Sequence, residues 1–218
     1  MKKYKAIIMD YDMTIGDTAD LIEECLYSNA ARFGIILDRK ALRMGIGLSA
    51  ADVYRQAGVK DEKDVAMLDR VYVEYSDDIM SNHSGFFPGV PEALESLYSN
   101  GIKLAILSLK VSKQIWDPLK RYGLDKYFDT AFGHDDVTRG KPDPEGLFKL
   151  AKKMGVSLED ILYVGDSYTD MLTAENAGVD FAAVCTGSFT AEFFAEKGAK
   201  MIYPTFAEMC RALINNDL

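Results

Sequence analysis

The chain has 218 residues, 48% hydrophobic and 27% charged, enough for one substantial core or a core carrying an insert. Its formal charge is −9 with no Lys/Arg-rich run, which argues against a nucleic-acid or anionic-membrane surface. Cys25, Cys185 and Cys210 are widely spaced and include no C-x-x-C pair, so they read as reduced thiols, not as a disulfide frame or zinc site. No long apolar segment opens the sequence and no run of about 18 apolar residues occurs, so a soluble, cytoplasmic protein without membrane partners is expected.

Residues 5–9 carry a continuous apolar run, Ala6-Ile7-Ile8-Met9, of the length of a buried parallel strand. A long helical stretch follows. Asp17 and Thr18 are N-cap candidates for a helix through Phe33, with Gly34 as its stop. Ser49 is placed to cap a second helix ending near Gly58, and Asp61, with Asp64 three residues on, to start a third through Met80. Roughly seventy residues of helix between the first two strands far exceed an ordinary crossover. Residues 17–84 are therefore expected to form an inserted helical cap domain, with residues 1–16 and 85–218 forming the core. Gly16 and the stretch 81–88 are the natural hinges. From Val90 onward, helices stopped by Gly101, Gly123, Gly155 and Gly178 alternate with strands at 102–107, 161–165 and 181–185. A weak segment at 128–132, an edge strand at 200–203 and a closing helix at 205–214 complete the pattern. This alternation predicts an α/β, Rossmann-like parallel sheet core with right-handed crossovers.

In such a sheet, ligands sit beyond the carboxyl ends of the strands. The first strand delivers Asp10, Asp12 and Thr14 there, the second delivers Ser108 and Lys110, and the strand at 161–165 delivers Asp166, Ser167 and Asp170. Lys141 stands in the connection Gly140-Lys141-Pro142. Taken singly, each has a plain reading: Asp10 and Asp12 start a turn, Ser108 ends a strand, Lys141 is a loop lysine and Asp170 lies on a helix surface. Together they place four carboxylates, a hydroxyl and an ammonium at one edge. Carboxylates so crowded repel one another unless a cation or proton intervenes, and hard oxygen donors suit Mg²⁺. That mixture fits phosphoryl transfer: a metal screens the phosphate charge, one Asp attacks, a second carboxyl exchanges protons, and Ser108 and Lys141 hold equatorial oxygens. Gly45-Ile46-Gly47-Leu48 is the cap segment best able to approach the site, whereas Arg39, Lys40 and Arg43 fit a solvated face. His83 and His134 lack metal-ligand spacing.

Asp10-Tyr11-Asp12-Met13-Thr14, Ser108, Lys141-Pro142 and Gly165-Asp166-Ser167-x-x-Asp170 resemble, over essentially the whole chain, the four motifs of the haloacid dehalogenase (HAD) superfamily. The resemblance implies a hydrolase with an inserted helical cap, in which Asp10 is the nucleophile and Asp12 the acid/base. It also implies that Asp12 reaches the metal through its backbone carbonyl, that Asp166 is a direct metal ligand and that Asp170 supports the metal. Thr14, Ser108, Lys110, Lys141 and Gly47 are expected to bind substrate. The second carboxylate, Asp12, favours phosphate chemistry over dehalogenation, and the last motif looks like the phosphoglycolate phosphatase group. Met13 and Leu109 depart from that group, which usually carries Gly and Asn there. The expectation is a Mg²⁺-dependent phosphatase acting on a small phosphorylated metabolite, as monomer or homodimer. A sugar phosphomutase and a non-catalytic binding protein on the same fold are the alternatives.

Overall fold

The computed structural model describes residues 3–215. Strand β1 (Ala6–Met9) is buried at every position, which explains its unbroken apolar run. Next come a two-residue strand β2 (Gly16–Asp17) and helices α1 (Ala19–Ala31), α2 (Arg39–Met44), α3 (Ala50–Gln56) and α4 (Glu62–His83). A second two-residue strand, β3 (Gly85–Phe86), leads to α5 (Val90–Ser99), β4 (Lys103–Leu107), α6 (Ser112–Arg121) and β5 (Thr130–Phe132). The remainder is α7 (Glu145–Met154), β6 (Ile161–Gly165), α8 (Tyr168–Ala177), β7 (Asp180–Val184), α9 (Ala191–Glu196), β8 (Met201–Tyr203) and α10 (Phe206–Asn215).

Six strands form one sheet in the order β5-β4-β1-β6-β7-β8, every pair parallel. β1 lies between β4 and β6, with Ile8 opposite both Ala105 and Tyr163. The alternation of side chains divides the strand between two layers. Ile7 and Met9 join Leu94, Ile115 and Met209 of α5, α6 and α10 on one face, while Ala6 and Ile8 join Leu147, Leu150 and Ala174 of α7 and α8 on the other. This register brings the carboxyl ends of β1, β4 and β6 to one edge.

Helices α1–α4 enclose a separate apolar cluster built on Leu26, Leu42, Tyr54, Val65 and Leu68. Asp61 caps α4 and Ser49 caps α3 as their sequence positions predict. Helix α2 was not anticipated. It is short, and it is held by the Asp38 cap and by burial of Leu42. On its outer side Arg39 pairs with Glu23 and Glu24, and Arg43 with Asp20 and Glu23, so both arginines belong to a solvated face. The two crossings between this helical unit and the sheet lie side by side, β2 pairing antiparallel with β3 through Gly16–Phe86 and Asp17–Gly85. Arg121 of α6 donates to the carbonyls of Ser81 and Ser84, fastening the end of α4 beside this ribbon. No helix among the described residues is long and apolar enough to cross a membrane.

Candidate active site

Beyond the end of β1, Asp10 is 4% exposed, and the Tyr11 N–H donates to its Oδ1 at 2.7 Å. Asp166 follows β6 and is 2% exposed; Asp170, on the first turn of α8, is fully buried. Oxygen atoms of Asp10, Asp166 and Asp170 all lie within 4.8 Å of one another. Lys141 is inserted among them, its Nζ 2.9 Å from Asp10 Oδ2 and 2.6 Å from Asp170 Oδ1. The Lys141–Pro142 peptide is cis. Thr14 donates to Asp166 Oδ1 at 2.9 Å. Asp170 is fixed from several sides: Tyr163 donates to Oδ1 at 2.9 Å, and the Ser167 N–H and hydroxyl donate to Oδ2 at 3.1 and 2.5 Å. The reciprocal bond from Asp170 N–H to Ser167 Oγ makes this a capping box, so Asp170 serves the helix start as well as the cluster.

Asp12 stands outside that group. Its Oδ1 accepts from Lys110 Nζ at 3.0 Å and from Thr18 at 2.7 Å. Thr18 does occupy the N-cap position of α1, but its hydroxyl makes no cap bond there. A charged carboxylate is a stronger acceptor partner for it than the helix end. Ser108 is buried at the end of β4, its backbone N–H donating to Phe132 and its hydroxyl accepting weakly from Lys110 N–H at 3.4 Å. Met13 adopts the left-handed region at φ 57°, the conformation for which glycine is the usual residue. Its carbonyl accepts from Thr186, which ties the loop after β7 to the loop after β1.

The electrostatics fit a divalent cation. Burial, with the neighbouring Asp170 and Asp12 charges, pushes Asp10 up to about 7 against the opposing pull of Lys141. Burial, then Asp170 and Asp10, raises Asp166 well above the carboxylate range. Burial alone would lower Lys141, but the charges of Asp10 and Asp170 outweigh it and hold the ammonium protonated. One ammonium therefore leaves three buried carboxylates under-compensated, and hard oxygen donors at this spacing suit Mg²⁺ or a similar ion. Two glycines permit the cluster. A Cβ on Gly187 would stand 1.9 Å from Asp166 Oδ2, and one on Gly165 would stand 2.4 Å from the Asp170 side chain.

Asp10, Asp12, Ser108 and Lys110 line the floor of a cavity of about 230 Å³, and α1, α3 and α4 supply its roof. Gly47 closes one side, where a Cβ would meet Ser167 at 3.0 Å; the Gly47 backbone is at φ 101°. Thus the candidate site residues gather on two sides of one assembly: Thr14, Lys141, Asp166 and Asp170 behind Asp10, and Asp12, Ser108 and Lys110 at the cavity, with Gly47 facing them from the cap. Sequence reading missed Gly187, which follows β7, although the strand-end argument applied to that strand too. It also missed Asp69, Tyr72 and Ser76, which line the cavity from α4. Their i, i+3, i+7 spacing marks one helix face.

A sequence model of the family described as haloacid dehalogenase-like hydrolase matches residues 7–184. The chain is 28% identical over 199 residues to a phosphoglycolate phosphatase of Salmonella typhi, covering 91% of this chain and 75% of that one. It is 27% identical over 211 residues to the pyrophosphatase PpaX of Listeria innocua, covering 92% and 95% respectively. Among solved structures, a Bacteroides fragilis protein assigned as a haloacid dehalogenase-like hydrolase superposes with a TM-score of 0.89 at 30% identity, covering 95% of this chain and 100% of that one. With the family match spanning most of the sequence and the four motifs converging on one sheet edge, the chain belongs to the haloacid dehalogenase-like hydrolases.

Proposed function

We propose that this protein is a Mg²⁺-dependent phosphatase that hydrolyses a small phosphorylated metabolite through an aspartyl-phosphate on Asp10. The observation that carries the reading is the division of labour among carboxylates: Asp10, Asp166 and Asp170 crowd round Lys141, while Asp12 faces the cavity with Lys110. Its relatives' names, a phosphoglycolate phosphatase and a pyrophosphatase, support phosphate as the group transferred.

Asp10, Asp166 and Asp170 would hold the metal with the Asp12 backbone carbonyl, and when bound the ion neutralises phosphate charge and favours the ionised form of Asp10. Lys110, Ser108 and Lys141 draw the phosphate oxygens toward Asp10 and stabilise the charge spread over them as the bond to the leaving oxygen lengthens. The Asp10 carboxylate attacks phosphorus as the bond to the leaving oxygen breaks, and Asp12 serves as the acid that delivers a proton to that departing oxygen. Asp12, now ionised, then takes a proton from water as that water attacks the phosphorus of the aspartyl-phosphate, releasing phosphate and restoring Asp10. Thr18 and Lys110 fix the Asp12 carboxylate throughout. Residues 17–84 would act as the cap that shuts the cavity and then opens for product release, with β2 and β3 as the crossing ribbon. Phosphate release from p-nitrophenyl phosphate and a panel of metabolite monoesters, with Mg²⁺ and with EDTA, tests the proposal. Metal-dependent release is expected, and absence of release from every compound by folded, metal-loaded protein would overturn it.

A further inference from the structure

The charge of the cavity limits what can leave from the phosphate. Three carboxylates line it, Asp10, Asp12 and Asp69; against them, among the described residues, stand the imidazole of His134 and one fixed cation, Lys110. That cation already donates to Asp12 at 3.0 Å, and it stands at the floor where the phosphate would bind. The roof offers no counterpart. No lysine or arginine of the cap lines the cavity among the described residues, and three of the cap's arginines are paired on its outer side: Arg39 and Arg43 with Asp20, Glu23 and Glu24, and Arg55 with Asp52 and Glu62. Lys113, on the first turn of α6, is held by Asp77 and Asp117. What faces the cavity from α4 and α6 is Asp69, Tyr72, Ser76 and Gln114, with Gln114 Nε2 reaching Ser76 Oγ at 3.4 Å, set among apolar walls.

We infer that the leaving alcohol carries no anionic group, and that its polar end is a hydroxyl or ammonium donor directed to Asp69. The inference rests on the phosphatase reading above and narrows it. A carboxylate such as that of phosphoglycolate, or a second phosphate such as that of pyrophosphate, would be brought against Asp69 in a partly apolar cavity whose roof, among the described residues, has no lysine or arginine to meet it. Like charges so placed oppose binding strongly. A hydroxyl or ammonium instead finds an acceptor in Asp69, which as a carboxylate can only accept. The same argument disfavours a bisphosphate, and with it a phosphomutase cycle. At about 230 Å³ the cavity lies below the roughly 300–1,000 Å³ of sites for drug-sized ligands, so the alcohol is small.

The test is binding, so that it does not depend on turnover. Non-hydrolysable phosphonates are titrated calorimetrically into the Mg²⁺-loaded protein: 3-hydroxypropylphosphonate and 2-aminoethylphosphonate as donor tails, 3-phosphonopropionate and methylenediphosphonate as anionic ones. The donor-tailed pair should bind about tenfold or more tightly than the anionic pair. Asp69→Asn should narrow that gap and remove any advantage of ammonium over hydroxyl, and Asp69→Lys should reverse the order. Equal or tighter binding of the anionic pair to the wild-type protein would overturn the inference. So would an Asp69→Asn variant with an unchanged gap, or failure of all four compounds to bind. Selective binding without phosphate release from any monoester would instead refute the phosphatase reading and leave the selectivity of the cavity standing.

Discussion

Lys141 gives the sharpest perturbation of the site. Its ammonium, whose side chain is 2% exposed, lies 2.9 Å from Asp10 and 2.6 Å from Asp170, with Asp166 in the same group. Lys141→Met keeps most of the apolar stem and deletes the charge, leaving three buried carboxylates facing one another. Removing one partner of a buried ion pair costs about 3–5 kcal/mol. In a chain of 218 residues each kcal/mol moves Tm by about 2–4 °C, so the metal-free variant should melt about 6–20 °C below wild type near pH 8. Two further trends follow from the same charges. The gap should shrink as pH falls toward about 5, because protonation of the carboxylates removes the repulsion that Lys141 would have screened. Millimolar Mg²⁺ should raise the variant's Tm more than that of wild type, since the ion takes over the work of the missing ammonium. Calorimetric melts with EDTA and with Mg²⁺ at both pH values measure all three. A metal-free Lys141→Met protein melting within about 2 °C of wild type near pH 8 would refute this account of the cluster.

The remaining predictions address separate features. Asp10 has its folded-state pKa raised from 3.8 to about 7. The folded state therefore holds a proton that the unfolded chain releases, and this contribution to stability is full below about pH 4 and lost as pH rises through about 7. Urea unfolding of metal-free wild type against Asp10→Asn across that window should show the difference in stability declining as pH rises, and a flat difference would contradict it. Gly187→Ala places a Cβ where Asp166 Oδ2 now lies, so the carboxylate must move; Mg²⁺ affinity by calorimetry should fall about tenfold or more while the metal-free fold persists. Unchanged affinity would mean that Asp166 does not bind the ion. The buried Tyr11 hydroxyl has no hydrogen-bond partner among the described residues, so Tyr11→Phe should stabilise the chain by about 1 kcal/mol in urea titrations, and a loss of stability would contradict this reading.

Much of the core was legible because parallel strands buried on both faces leave unbroken apolar runs, and because polar groups directly after such runs have no packing reason to be there. Asp10, Ser108 and Asp166 stood out for that reason. The features that escaped are those decided by tertiary partners. Helix α2 has six residues, too few for periodicity, and exists through its Asp38 cap, the burial of Leu42 and charge pairs with α1. Strands β2 and β3 have two residues each, so no alternation can announce them, and only their pairing reveals that both crossings share one ribbon. Thr18 reads as a helix cap in one dimension, but folding brings Asp12 within reach and the hydroxyl goes there. Asp69 sits on an amphipathic helix, where nothing local distinguishes a carboxylate facing solvent from one facing a cavity. Met13 was legible as a departure from the family pattern, whereas its left-handed backbone became apparent only in the fold.

The central claim is that Asp10 becomes covalently phosphorylated. The measurement that tests it most directly is rapid acid quench of the Mg²⁺-loaded protein during turnover of a ³²P-labelled monoester, followed by mapping of the label. The account predicts acid-stable, hydroxylamine-labile label on the peptide containing Asp10, formed at least as fast as phosphate is released. Asp10→Asn should show neither label nor release. Sustained phosphate release by Asp10→Asn, or turnover by wild type with no label on that peptide at any quench time, would contradict it.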